Sequence, residues 1–560
     1  MKYPDLLNHD ISRVGLQESQ RYNIISGKLV TDIVKTSLGP RGMEKMYIDI
    51  LGEDTITNHG GAFLRKVDII HPAAKSVIDG VNTIDTHVGD GTTSTAVLIG
   101  SLLNQAEELL KSGIPVAAIT RGYERGLDCS LDALDSIKIK SNRRDKKIMK
   151  KLLITCLEGK AIFDLQEEKM KVVDMLIEAI YSVANLERGT VSIDDIKIEE
   201  KIGSFTDTQL IKGTVIDKTI DSSAMPKTIK NAKILLLNEP LETMRGKTEA
   251  EIEITSPAQM SQFLDQENND LISLVKKIYD SGANVVISRK GVNELVQEAI
   301  AKKGIISMRR VKYNDLWWLE KATGAKTCKD IEKISYNELG FAKRVYEKTI
   351  GGDKMVFVEA DDNLKSVTLL LRANSKRYLD EFHRNALNAF YVLRNFIENP
   401  FIVYGAGSAE FIVAQQIREQ AITVEGKEQI SMQRFAEALE QIPLTLAQNI
   451  GMSALDALAQ LRTKNNDKVK WHGIDSNTRK ISDMSSSDII ETTVVKQQVL
   501  KTATETTNMI LNIDDVFMKD LIDNTHCHID GTVHAHHDGG KAHNHFEQEG
   551  LEQRQMHHYY

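Results

Sequence analysis

The sequence predicts a multidomain fold that combines all-α and α/β parts, and three observations carry that reading. The chain has 560 residues, which at about 150 residues per domain gives three or four domains, each large enough to bury a core. Both ends carry long helical patterns, whereas residues from about 214 to 365 alternate short β runs with helical stretches, an α/β texture. The flanks resemble each other and differ from the middle. An α/β domain inserted into a helical one has that signature. Composition agrees, with 41% hydrophobic and 27% charged residues.

Taken in order, Ile25, Leu29 and Ile33 recur every four residues and predict a helix that stops at Leu38-Gly39-Pro40. The segment KMYIDILGEDTITN alternates apolar residues either side of Gly52 and predicts a β-hairpin. After the break at 88–93, Leu98, Leu102, Leu103, Ala106, Leu109 and Leu110 share one helical face. The basic cluster SNRRDKKIMKK (141–151) reads as a solvated helix face. KILLLN, ANVVISR, IISMRRV and MVFVEA are the strands of the middle. Beyond about 400 the helical patterns return and end in the strand-like MILNIDDVF.

Charge and cysteines exclude several classes. Lys plus Arg is 71 against 79 for Asp plus Glu, a net charge of −8, which argues against nucleic acid as a partner. The cysteines at 129, 156, 328 and 527 form no CxxC pair, a pattern of reducing compartments without a disulfide framework. The N-terminus lacks a signal-peptide core, and no apolar run approaches the roughly 20 residues of a membrane span. The expectation is a cytoplasmic protein with no membrane contact.

Three glycine-rich loops are candidates for phosphate binding. Gly89-Asp90-Gly91-Thr92-Thr93-Ser94 stands between a turn and a helix start, where backbone N–H groups bind anions and glycines admit phosphate oxygens. Asp90 is suited to Mg²⁺ and the hydroxyls to phosphate. Leu38-Gly39-Pro40 and Gly405-Ala406-Gly407 are further turns at helix ends. Each alone reads first as a plain helix stop or cap. Together they fit one pocket built by a chain that folds back.

Their order and company are more specific. TSLGPRGMEKM, ITN at 56–58, HPAAK at 71–75, VGDGTTS at 88–94, SGANVVISRKG, GGDKMVFVEA, RFAEALEQIP, HGID and VVKQQVLKTATETTNMILNIDDV resemble the group II chaperonins, the family of the archaeal thermosome and the eukaryotic cytosolic chaperonin. The resemblance covers nearly all of residues 15–517. It implies a helical equatorial domain (1–143 with 400–525), a small intermediate hinge domain (144–213 with 366–399) and an inserted α/β apical domain (214–365). A helical protrusion is expected near 248–267, and a His-rich tail (526–560) stands outside the three domains. It further implies ATP and Mg²⁺ as ligands, unfolded proteins as clients, and other chaperonin subunits as partners in a double ring. By the same resemblance Leu38, Gly39 and Pro40 line the nucleotide, Asn58 lies near the phosphates, and Asp90 is the Mg²⁺ ligand. Gly89 and Gly91 to Ser94 cradle the phosphates, Lys160 senses the γ-phosphate, Gly405 to Gly407 close over the nucleotide, and Asp475 and Glu491 lie near ribose and adenine.

Two departures touch the chemistry. The family pattern N-D-G-A-T reads Asn58-His59-Gly60-Gly61-Ala62, so a carboxylate near the γ-phosphate has become His59. The pattern R-x-L-H-D-A-L reads Arg384 to Phe390, which puts Asn388 in place of the Asp that orients the attacking water. Two lesser departures are Ala406 for the middle glycine of GGG and Arg372-Ala373-Asn374-Ser375 for R-G-G-T. Asn388 can still hydrogen-bond a water but cannot take its proton, and loss of a general base costs about 10²–10⁴-fold. His59 has no evident compensating role, being either a poor base of ordinary pKa or a tolerated neighbour. Two readings follow: a foldase subunit that hydrolyses ATP slowly, or a nucleotide-binding, hydrolysis-deficient subunit of a hetero-oligomeric ring. The tail holds nine of the 15 histidines and reads as disordered, with His534, His536, His537, His543 and His545 able to chelate Zn²⁺ or Ni²⁺.

Overall fold

The computed structural model describes residues 11–160, 166–242, 256–329, 331, 334, 336–360, 366–465, 471–519, 525–527 and 533–535. It divides into two compact units. One comprises residues 1–22 and 513–560. Within it β1 (Ile11–Gly15) pairs antiparallel with the late strand Asp515–Lys519, and Thr525–Cys527 pairs with Val533–Ala535. Of the tail histidines singled out above, His536, His537, His543 and His545 lie outside the described residues, as does the His534 side chain.

The other unit is Asn23–Asn512. It begins within α1 (Leu16–Lys35) and continues with the hairpin of β2 (Lys45–Ile48) and β3 (Asp54–Thr57), and then α2 (Gly60–Lys66), α3 (Pro72–His87), α4 (Thr92–Lys111), α5 (Val116–Ile137) and β4 (Ile139–Lys140). Next come α6 (Lys146–Leu157), α7 (Gln166–Val183), β5 (Ile196–Ile202), β6 (Gln209–Ile216) and β7 (Thr228–Leu237). The middle continues through α8 (Pro257–Asp280), β8 (Val285–Ser288), α9 (Glu294–Lys302), β9 (Ile306–Met308), α10 (Tyr313–Thr323), β10 (Gly340–Ile350) and β11 (Asp353–Glu359). The return carries β12 (Val367–Ala373), α11 (Lys376–Glu398), β13 (Phe401–Tyr404), α12 (Ser408–Ala421), α13 (Lys427–Asn449) and α14 (Ala454–Lys464). It closes with β14 (His472–Asp475), β15 (Lys480–Asp483), β16 (Ile490–Thr492) and α15 (Thr493–Leu511).

An eight-stranded sheet runs in the order β5-β12-β6-β11-β10-β7-β8-β9, with β7, β8 and β9 parallel, β10 and β11 antiparallel, and β12 parallel to β5. Three large apolar cores fill this unit. The first joins α1 and α3–α5 to α12, α13 and α15, from Ile24 to Leu511. The second packs α6, α7 and α11 on β5 and β12. The third packs helices α8–α10 on strands of the middle, from Ile216 to Val358. Each core therefore draws on chain segments far apart, except the third.

α1 forms where expected, but Leu29 and Ile33 are exposed, and Ile24, Val30 and Val34 are buried instead. The helix presents a second apolar stripe to the core, where Gly27 comes against Leu103 and Gly100 against Thr31. A helix with two such stripes gives one period and two possible faces. The stripe on α4 is as expected, with Leu98, Leu102, Leu103, Ala106 and Leu109 buried. The protrusion expected near 248–267 lies outside the described residues up to 255, and 257–267 is the first part of α8. Among the described residues no helix is long and apolar enough to cross a membrane.

Candidate functional site

The turn before α4 is shaped by two left-handed glycines. Gly89 (φ 72°) and Gly91 (φ 88°) hold a conformation that L side chains avoid. A Cβ on Gly89 would stand 2.4 Å from the Cβ of Tyr391 on α11, and one on Gly91 2.8 Å from Val499 on α15. The loop is thus clamped between two elements from the far end of the chain. Gly91 is also the N-cap of α4 and offers no side chain to the first turn. Its N–H groups, with the positive end of the helix dipole, stay open toward an anion. Asp90 accepts a hydrogen bond from the Gly91 N–H at 2.7 Å through Oδ1. Its Oδ2 has no hydrogen-bonding partner among the described residues.

The turn at 58–61 lies directly beside this loop, with Gly60 against Thr93 and Gly61 against Thr92. Asn58 bridges outward: its Nδ2 donates to the Gly159 carbonyl at 2.9 Å, and its Oδ1 accepts from Lys160 Nζ at 3.1 Å. Gly159 packs on the Pro40 carbonyl, and Asn449 donates to the Leu38 carbonyl, so the 38–40 loop joins the same rim. Leu38–Pro40, Asn58, Gly89–Ser94 and Lys160 are therefore brought together.

His59 has a definite place. It is the N-cap of α2, its Nδ1 accepting from the Ala62 N–H at 3.1 Å. Its Nε2 points to Asp85 Oδ1 at 3.4 Å. Burial, followed by the charge of Lys160, lowers its pKa to about 4, against the opposing pull of Asp85 and Glu381. At neutral pH the ring is uncharged, with Nδ1 occupied by the cap and the proton on Nε2. Of the two roles left open by the sequence, the poor base of ordinary pKa does not fit, because the pKa is lowered and no lone pair is spare for base work. The imidazole does the capping that Asp does elsewhere.

α11 lies across both loops and is pinned along its length. Arg377 pairs with Asp54, and Glu381 Oε2 accepts from Thr57 Oγ1 at 3.0 Å. Farther along, Asn395 Nδ2 donates to the Val88 carbonyl at 3.0 Å and Arg394 to the His87 carbonyl. Asn388 is buried on this helix, one turn before Tyr391, whose ring rests on Gly89. Sequence reading missed Glu381 and Tyr391. Their spacing from Asn388, seven and three residues, was the available signal.

The 405–407 turn sits elsewhere on the rim. Gly405 packs on Glu491, and Ile474 N–H donates to the Ala406 carbonyl at 3.0 Å, which brings β14 alongside. Ala406 takes the left-handed conformation (φ 58°) despite its Cβ. Asp475 closes an Asx turn, accepting from the Asn477 and Thr478 N–H groups and the Thr478 hydroxyl. Glu491, half-buried, joins the buried Glu410 and Lys496 in a trio in which Lys496 Nζ lies 2.6 Å from both Glu491 Oε2 and Glu410 Oε1. Burial raises the Glu491 pKa, with Lys496 opposing, and Asp90 is close enough to add to the rise. Among the described residues no group of three or more His, Cys, Asp or Glu side chains is arranged as a metal site.

The site thus combines an open helix N-terminus, a carboxylate with a spare oxygen, hydroxyls and one lysine. That donor set fits a magnesium-bound phosphate chain. Comparison with known proteins agrees with the geometry: residues 30–520 match the TCP-1/cpn60 chaperonin family. The chain belongs to that family. The chaperonin is 41% identical over 503 residues to the thermosome subunit of Methanopyrus kandleri, covering 89% of this chain and 92% of the relative. It is 40% identical over 520 residues to thermosome subunit alpha of Aeropyrum pernix, with 92% and 94% covered. Thermosome subunit beta of Archaeoglobus fulgidus is 39% identical over 514 residues, with 91% and 94% covered.

Proposed function

We propose that this chaperonin chain is an ATP-dependent molecular chaperone subunit that binds Mg-ATP and unfolded protein within a double ring, with its own hydrolysis weakened. The observation that carries the reading is the convergence of 58–61, 89–94 and 159–160 beneath α11, with both acid positions occupied by His59 and Asn388. Bound there, Mg²⁺ neutralises phosphate charge and ATP supplies the bond to be split. Asp90 holds the cation, and the α4 N-terminus with Thr92, Thr93 and Ser94 holds phosphate oxygens. Gly405–Gly407, Asp475 and Glu491 take the nucleoside side. Lys160 faces the terminal phosphate. Asn388 orients a water without accepting its proton, so positioning survives and base assistance does not. The division into an equatorial part (1–143 with 400–525), an intermediate part (144–213 with 366–399) and an apical part (214–365) belongs to the same proposal, with separate apolar cores at Ile24–Leu511, Met149–Ile490 and Ile216–Val358 in its favour.

A second reading makes the chain a hydrolysis-deficient member of a hetero-oligomeric ring. It is favoured by His59, whose lone pair is committed to the α2 cap. Purified protein tests both: Mg-ATP binding with turnover that rises about 10²-fold or more in His59→Asp/Asn388→Asp. Asp serves as an N-cap, so α2 tolerates that exchange. Fast turnover by the unchanged protein refutes the defect, and failure to bind Mg-ATP refutes the nucleotide reading. For the tail, zinc uptake that disappears on truncation after residue 525 supports chelation, and equal uptake refutes it.

A further inference from the structure

We propose that Glu381 is the positioning residue that registers α11 on the phosphate-facing turn and thereby lets this chain distinguish a nucleoside triphosphate from a diphosphate. The role rests on the nucleotide reading above. Glu381 is 8% exposed, and its carboxyl remains below the usual range: burial pushes it up, but Arg384, Lys160 and the Thr57 hydroxyl more than offset this. It is a buried anion with both oxygens engaged. Oε2 accepts from Thr57 Oγ1 at 3.0 Å and from Arg384 Nε and Nη2 at 3.1 and 2.6 Å, and Oε1 accepts from Asn385 Nδ2 at 3.3 Å.

The bond to Thr57 extends well beyond the helix. The same hydroxyl oxygen accepts from the His59 N–H at 3.0 Å, so it fixes the turn on both sides of Asn58. Asn58 in turn holds Gly159 and Lys160. One carboxylate therefore ties together α11, the 57–59 turn and, through Asn58, the 159–160 turn that follows α6. Glu381, Asn385 and Asn388 are spaced four and three residues apart and share a helix face. A slide or roll of α11 about this anchor displaces Asn388 and the acceptor of Lys160 together. Asn388 and Lys160, which that acceptor holds, are the two groups assigned to the terminal phosphate, whereas Asp90 and the α4 N-terminus take the rest. With a neutral imidazole at 59, Glu381 also supplies negative charge in the surroundings of Lys160.

Titration calorimetry on the full-length protein tests this, with Mg-ADP and the magnesium complex of the β,γ-imido analogue of ATP as probes. Glu381→Gln and Thr57→Val keep Mg-ADP affinity within about threefold and weaken the triphosphate about tenfold, the loss expected when a hydrogen bond to a charged group is cut. The double variant is no worse than either single one, because both cut the same link. Thr57→Ser, which restores the hydroxyl, restores discrimination. Additive losses, equal losses for both nucleotides, or unchanged discrimination overturn the proposal. If Glu381→Gln fails to fold, the Thr57→Val and Thr57→Ser pair decides alone. Binding of neither nucleotide by the unchanged protein refutes the nucleotide reading, and this role with it. Unaltered discrimination in every variant refutes only the role.

Discussion

Acidification should loosen the start of α2, and His59 sets the amount. In the folded chain its pKa is about 4, against 6.5 for the free side chain. Between those values an opened turn takes up a proton that the closed turn refuses. Stability of the closed form is therefore complete above pH 6.5 and is lost as pH falls toward 4. For one group with these two values, the loss between pH 7 and pH 5 is about 1.8 kcal/mol, or about 20-fold in the opening equilibrium. Protonation at Nδ1 also removes the acceptor for the Ala62 N–H, so the cap and the charge act on one event. Amide hydrogen exchange at Ala62 and Phe63, expressed as protection factors, reads that opening directly. The unchanged protein should lose about 20-fold in protection from pH 7 to pH 5. His59→Asn, a good N-cap that does not titrate, should change less than threefold over the same range. A protection factor in the unchanged protein that holds within threefold would refute the reasoning.

Gly89→Ala forces a Cβ into both a left-handed backbone and the Tyr391 ring. A loss of about 2–4 kcal/mol is expected, seen as a lowered unfolding transition in calorimetry. Adding Tyr391→Ala should give less than the sum of the two losses. Lys496→Met leaves the buried Glu410 and the half-buried Glu491 without their cation. It should cost about 3–5 kcal/mol, and Lys496→Met with Glu410→Gln should be more stable in denaturant titration than Lys496→Met alone.

The loops were legible because a turn that needs positive φ leaves glycines in the sequence, as at 89 and 91. The inserted α/β middle was legible because its strands are short, continuous apolar runs such as ILLL and VVIS. The core face of α1 was not, since Ile25, Leu29 and Ile33 repeat as regularly as the residues that are buried. The cap at His59 was hidden because caps are sought among Ser, Thr, Asp and Asn, and an imidazole in that role has no sequence signature. Glu381 and Tyr391 were hidden for a different reason. Their partners Thr57 and Gly89 lie some 300 residues away, and periodicity carries no information over that distance.

That distance also has a consequence for how the chain is made. Thr57 leaves the ribosome 324 residues ahead of Glu381, an interval on the order of half a minute at ordinary rates of synthesis. The apolar faces of α3, α4 and α5 wait longer still, because the helices that complete their core end at Leu511. Throughout that interval they are unburied hydrophobic surface on a nascent polypeptide. A chaperonin subunit is thus, during its own synthesis, itself an unfinished chain.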